Sequence, residues 1–304
     1  MTLHVFASIV TPYGTAANNR AETEGNITTL QKIIWMGVTH TTISAEAIRF
    51  ALRRRLASYG DTNRFWDERT NSNGWKDPDF QRWSSDGQEQ EVFIDDDLLG
   101  FMSAEAAKEG ESAGKATVRR SVLEVTRAVS LTPWPGDVTF NAASPGATPS
   151  AQKKGTNPVP YGTELHATRY QYSIAMTPER LRDKRRAAQA LECLCGLGPV
   201  AGNHSRFLFD FSPEAIVIRI TDDPAPRMLY CFDTSDEGRT VVAPRLYQRL
   251  QNRDIVPEEL IIAGVTPHGE GNGRWPEQVT VCKGVCEACD EAVRRINGRL
   301  GIGG

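Results

Sequence analysis

The stretch Ile43–Leu56, I-S-A-E-A-I-R-F-A-L-R-R-R-L, constrains the fold more than any other segment. At 3.6 residues per turn, Ala45, Ile48, Leu52 and Leu56 align into one apolar stripe, which predicts a helix lying against a core. Ser44 stands where an N-cap is needed, with a hydroxyl able to accept an amide of the first turn. Arg49 and Arg53, spaced i, i+4, share one flank of the stripe beside Glu46 and are expected to point partly outward. The positive end of a helix next to two guanidiniums suits a phosphate chain. A solvated helix carrying a Glu46 to Arg49 pair is the alternative this segment leaves open. Arg54 and Arg55 fall outside both readings.

The chain has 304 residues, enough for one large domain or two small ones with a sizeable core. It contains no run of 18 apolar residues, and its start, M-T-L-H-V-F-A-S-I-V, lacks a basic signal region, so a cytoplasmic, membrane-free protein is expected. Net charge is only −3, but its distribution is uneven. Residues 1–60 carry +3, 61–115 carry −8, 116–190 carry +6 and 191–304 carry −4. Two basic segments therefore flank an acidic one, a pattern able to line a basic groove on a nearly neutral protein.

Leu3 to Val10 reads as a buried, central first strand ended by Thr11-Pro12. Tyr13 to Asn26 is polar and reads as a loop, and Ile33 to Ile43 as extended chain leading into the arginine helix. Residues 59 to about 92 look like an acidic insertion, with Trp66, Trp75 and Trp83 implying packing rather than disorder. A strand is expected over Arg119 to Leu131. Residues 133–163 hold six of the seventeen prolines plus Lys153 and Lys154, which marks a long excursion toward an anionic partner. Glu164 to Met176 alternates and places Tyr170 and Tyr172 on one face, as core rather than as base-stacking platforms, with Arg169 on the other. Pro178 opens a predicted helix through Leu194. Strands follow at Phe207 to Phe211, Ala215 to Ile220 and near Leu260 to Gly264, with helices near Pro244 to Gln251 and from about Gly284 to Arg299. The order strand, helix, strand, strand, helix, strand with insertions fits a ferredoxin-like α+β domain.

Two motifs carry other chemistry. Cys282, Cys286 and Cys289 have a zinc-like spacing but supply only three local ligands, His268 or Cys231 being the nearest candidates for a fourth. Cys286 and Cys289 run on into Val293, Ile296 and Leu300 at helical spacing, so they read as core thiols and no metal or cofactor is expected. Asp95, Asp96 and Asp97 could hold a divalent ion for RNA cleavage. The run adjoins L-L-G-F-M, however, and more readily caps a strand end, with no paired general base in sight. A helix-turn-helix pair, which a duplex-binding transcriptional autoregulator would need, is absent from the pattern.

Five segments in order, the A-A-N-N-R-A-E-T-E-G-N loop, the S-A-E-A-I-R-F-A-L-R helix, D-D-D-L-L-G-F-M, Y-G-T-E-L-H-A-T-R-Y-Q-Y and F-S-P-E-A-I-V-I-R, carry a family likeness. Across nearly the whole chain they resemble the CRISPR-associated guide-RNA-binding backbone subunit of type I-B Cascade complexes, in its DevR-type autoregulator branch. The resemblance implies a hand-shaped protein: an RNA-recognition-motif palm over 1–58 and 116–304, a finger-like insertion over 59–115, and a thumb hairpin over 133–163. It also implies a non-catalytic function, with copies assembled head to tail on a crRNA, beside other Cascade subunits, displaying the guide to a target DNA strand. Carried over by position, Asn18, Asn19, Arg20, Lys32, Ser44, Arg49 and Arg53 would hold the RNA backbone, and Lys153, Lys154 and Arg169 join them as basic candidates. One departure is Ser44-Ala45-Glu46, where relatives commonly show Ser-Ser-Gln; a carboxylate near phosphate is unfavourable, so Glu46 stays outside the set.

Overall fold

The computed structural model describes residues 2–17, 23–84, 91–104, 116–146, 157–200, 208–268 and 273–303. His4–Val10 forms the expected first strand, and its alternation fixes everything around it. Val5, Ala7 and Ile9 face one apolar core, while Phe6 and Val10 face a second on the opposite side. The strand is therefore buried on both faces and sits centrally, antiparallel to Tyr170–Met176 on one edge and to Ala215–Thr221 on the other. Tyr170–Met176 pairs onward with Ala128–Ser130, again antiparallel, and that strand pairs with Val38–Ile43. Beyond Ala215–Thr221 come Leu260–Ala263 and then Thr280–Cys282.

Among the described residues, four helices contribute to the first core, the short Ile94–Leu99 being one. Helix Ala45–Leu56 buries Ile48, Leu52 and Leu56 there, as its stripe requires, and helices Arg186–Cys195 and Val285–Leu300 add Leu191, Leu194, Ala292 and Ile296. Each of these leucines and isoleucines contributes roughly 1.5–3 kcal/mol on burial. The second core is closed by helix Pro244–Gln251 through Leu246 and Leu250. The result is an α+β fold of several sheets and helices. Among the described residues no helix is long and apolar enough to cross a membrane.

Several expectations need correction. Ile33 to Ile43 is not one extended run but a hairpin, Lys32–Trp35 against Val38–Ile43, because Met36 and Gly37 both adopt positive φ in a two-residue turn whose twist matches the strands. Part of the supposed loop after Tyr13 is a strand, Gly14–Ala17, paired with the end of Val159–Thr168. Arg119 to Leu131 breaks into Ala116–Arg119, Leu123–Val125 and Ala128–Ser130. Residues 208–211 form no strand; Phe209 and Phe211 instead pack beside the buried Tyr170 and Tyr172. The helix expected from Pro178 starts only at Arg186, after a single 3-10 turn at Pro178–Arg180. Cys289 is core, but Cys286 is exposed.

The excursion is built from two long antiparallel arms, Val138–Ala143 and Val159–Thr168. In the insertion, Arg64–Asp67 pairs with Ser72–Trp75, and Phe80 stacks on Phe101 between Trp75 and Trp83. The tryptophans thus do pack.

Candidate nucleic-acid interface

Ser44 caps the arginine helix as expected, accepting the Ala47 amide at 3.2 Å. What the sequence could not show is where the flank of that helix points. The insertion folds back so that a short helix, Ile94–Leu99, lies against it, and all six residues of this helix are buried, the three aspartates included. Arg53 Nε donates to Asp95 at 2.9 Å, with the two side chains 13% and 1% exposed. Arg49 donates to the Leu99 carbonyl and, at 3.3 Å, to Ser121 Oγ. Burial, then the neighbouring Arg53, lowers the Arg49 pKa from its ordinary value. Both guanidiniums turn inward, which corrects the outward orientation expected of them: buried carboxylates and a helix-end carbonyl outcompete water for the forks.

Asp97 is the hub of the same seam. It accepts the amides of Arg182 and Asp183 at 3.1 and 3.2 Å, Arg186 Nη1 at 3.0 Å, and Arg119 Nη2 at 3.5 Å. Those captured amides hold residues 181–185 out of a helix and explain the late start at Arg186. Asp95 accepts the amides of Asn63 and Arg64, and Asp96 accepts Asn63 Nδ2 at 2.9 Å. Burial, and then the charge of Asp95, pushes the Asp96 carboxyl up to about 7. Two guanidiniums lie over Trp83, Arg182 at 3.9 Å and Arg119 at 4.8 Å from its ring centre. The acidic run therefore neither caps a strand nor opens to solvent. Gly100, at φ +66°, passes so close to the Arg119 carbonyl that any Cβ would collide with it.

The other candidates fall in two places. Lys32 donates to both oxygens of Glu164, at 2.7 and 2.6 Å, and sits 4.2 Å from the centre of the Trp134 ring. Arg169 is buried: it makes a two-pronged pair with Glu214 at 2.8 and 3.1 Å and donates to the Gly238 and Arg239 carbonyls. Asn18, Asn19, Arg20, Lys153 and Lys154 lie outside the described residues. Tyr170 and Tyr172 are fully buried, as expected of core, and Thr41 joins Tyr170 to His166 at 2.8 and 2.7 Å. Burial holds His166 down to about 4, so it stays neutral.

One cation escaped the sequence reading. Arg127 is exposed and reaches Gln31 Oε1 at 3.3 Å and Thr42 Oγ1 at 3.2 Å, two residues before the cap Ser44. No local pattern flags it, because the strand pairing of Ala128 with Ile43 alone brings it to the helix start. Among the described residues, no three His, Cys, Asp or Glu side chains gather to hold a metal ion.

Comparison with known proteins agrees with this architecture. Residues 13–182 match the family model described as CRISPR-associated negative auto-regulator DevR/Csa2. The chain is 58% identical over 303 residues to "CRISPR-associated protein Cas7/Cst2/DevR" of Myxococcus xanthus (strain DK1622), covering 98% of this chain and 99% of that one. Among solved structures it is similar to a chain of "CRISPR RNA-guided surveillance complex, pre-nicking", with a TM-score of 0.55 at 13% identity, covering 97% of this chain and 100% of the other. A chain of a second "CRISPR RNA-guided surveillance complex" gives a TM-score of 0.52 at 16% identity, covering 97% and 99%. Those two likenesses are of fold, and with the match in sequence they place this chain in the CRISPR-associated DevR/Csa2 family.

Proposed function

We propose that this chain is a non-catalytic backbone subunit of a type I-B Cascade complex, polymerising head to tail along a crRNA that it displays to a target DNA strand. The observation that carries the reading is the order of the central strands. Ala215–Thr221, His4–Val10, Tyr170–Met176 and Ala128–Ser130 lie side by side, every neighbour antiparallel, with helices Ala45–Leu56 and Arg186–Cys195 in the two crossovers. That is the strand–helix–strand–strand–helix–strand pattern of RNA-recognition folds, which supports a palm over 1–58 and 116–304. The hairpin within 133–163 would be the thumb and 59–115 the fingers.

The guide would cross the start of the arginine helix. It would meet there the first-turn amides beside Ser44, the remaining N–H of Lys32 and the guanidinium of Arg127; the sequence reading adds Asn18, Asn19, Arg20, Lys153 and Lys154, which lie outside the described residues. Arg49, Arg53 and Arg169 take a different part: their internal partners make them braces that hold the wall. Backbone contacts of this kind read no sequence, which suits a guide that must vary freely. Heterologous contacts that do not close into a ring give a filament whose length the RNA sets.

Titrating the purified chain onto a guide RNA and mapping ribonuclease protection tests the reading. Protection should lengthen in equal steps as copies are added. Uniform sensitivity would refute polymerisation, and regular magnesium-dependent cuts in complementary RNA, lost in Asp95→Ala, would establish the nuclease alternative instead.

A further inference from the structure

Three of the six cysteines meet where the last helix begins, and the function proposed above uses none of them. The helix Val285–Leu300 starts after Gly284, so Cys286 is its second residue and Cys289 stands one turn later. Cys286 is exposed, whereas Cys289 is buried in the main core against helix Arg186–Cys195. On that helix Cys195 brings its thiol within hydrogen-bonding reach of Cys289. A solvent-facing thiol three residues before a buried one, at a helix start and with a third thiol behind, is more than a packing arrangement.

We propose that Cys286 and Cys289 are a redox-active dithiol that closes to an intrahelical disulfide on meeting a low-molecular-weight disulfide and reopens in excess thiol, with Cys195 positioning Cys289. Cys286, exposed at the helix start, is the thiol that a small disulfide can reach. The contact between the two thiols lowers the Cys289 pKa and raises that of Cys195, so Cys289 serves as the resolving thiol. Cys282, whose pKa burial raises, sits on the preceding strand outside this arrangement.

In the first step the Cys286 thiolate attacks one sulfur of the small disulfide. That S–S bond breaks, one small thiol leaves, and a mixed disulfide remains on Cys286. The Cys289 thiolate then attacks Cys286 Sγ and expels the second small thiol. The two protein thiols lose two electrons and two protons, which the small disulfide gains as two thiols. Residues i and i+3 of a helix hold their Cβ atoms about 5–6 Å apart, and a disulfide needs about 3.8 Å, so the first turn must tighten by roughly 1–2 Å. The amides of Val285, Cys286 and Glu287 have no intrahelical partners to lose, while the Ala288 amide keeps its bond to the Gly284 carbonyl, 3.1 Å in the open form. The resulting bond is strained and easily reduced, which fits a reversible device rather than a structural staple.

Treating the full chain with oxidised glutathione, alkylating, and mapping peptides by mass tests this. The peptide with Cys286 and Cys289 should lack two hydrogens, carry no glutathione, and return to two free thiols in excess reduced glutathione. Cys286→Ser should abolish the bond, Cys195→Ala should slow closure by about tenfold, and Cys195→Ser, which keeps a donor, should restore the rate. A persistent glutathione on Cys286, a Cys195 to Cys289 cross-link, unmodified thiols, or equal rates for Cys195→Ala and the parent would each overturn the proposal.

Discussion

Two cation-rich regions of this molecule behave in opposite ways. Along the seam between the arginine helix and the insertion, Arg49, Arg53, Arg119 and Arg186 are spent on the buried run Asp95–Asp97 and on nearby carbonyls. At the sheet edge before the same helix, the Lys32 side chain is 26% exposed and Arg127 is exposed. The difference teaches that arginine spacing on a helix does not identify a phosphate site; what decides is whether the fold brings a carboxylate to the guanidinium first. The seam's cations have buried internal partners, whereas the edge is where the proposed guide path runs.

The sharpest way to break this contrast is Asp97→Ala. It strips the hub from Arg186, whose side chain is 3% exposed, and should cost about 3–5 kcal/mol in urea unfolding. A loss under about 1 kcal/mol would mean the seam carries little. Arg53→Met should come next, about 2–3 kcal/mol, since Asp95 keeps two backbone donors. RNA affinity per folded molecule should then be unchanged, and an affinity loss without destabilisation would return Arg53 to the binding set.

A smaller effect lies in pH. Asp96 has a folded pKa raised to about 7, above its ordinary value near 4, so the native state holds its proton more tightly than the unfolded chain. Its contribution to stability is complete below about pH 4 and is lost as pH rises toward about 7. The Asp96→Asn variant should lack this decline, and a parent whose stability is flat over that range would refute the assignment. The smallest structural effect belongs to Arg127→Ala, within about 0.5 kcal/mol of the parent. It should nonetheless weaken guide binding equally for unrelated spacers and lower the salt slope by about 0.7. An unchanged slope would remove Arg127 from the interface.

The sequence disclosed the parts whose causes are local. The stripe of Ile48, Leu52 and Leu56, the cap Ser44, the buried first strand and the helix Pro244–Gln251 all follow from short-range periodicity and end signals. It failed where distant residues intervene. The fate of Arg53 depends on an aspartate 42 residues downstream, and the delayed helix at Arg186 depends on Asp97 capturing the amides before it. Phe209 and Phe211 look like a strand in isolation because an aromatic plug in a core has the same alternation. The family likeness was legible because several weak motifs kept their order. The internal partners of Arg49, Arg53 and Arg169 were not legible, since they come from distant segments, and the position of Arg127 at the helix start came into view only through strand register.

The central claim, guide binding along the sheet edge, is tested most directly by purifying the tagged chain from cells that express it with its neighbouring genes and sequencing the RNA that accompanies it. The account predicts repeat-derived guides of defined length, retained by Arg53→Met per folded molecule and depleted by Arg127→Ala. Recovery of no RNA, or of bulk cellular RNA without repeat sequence, would contradict it.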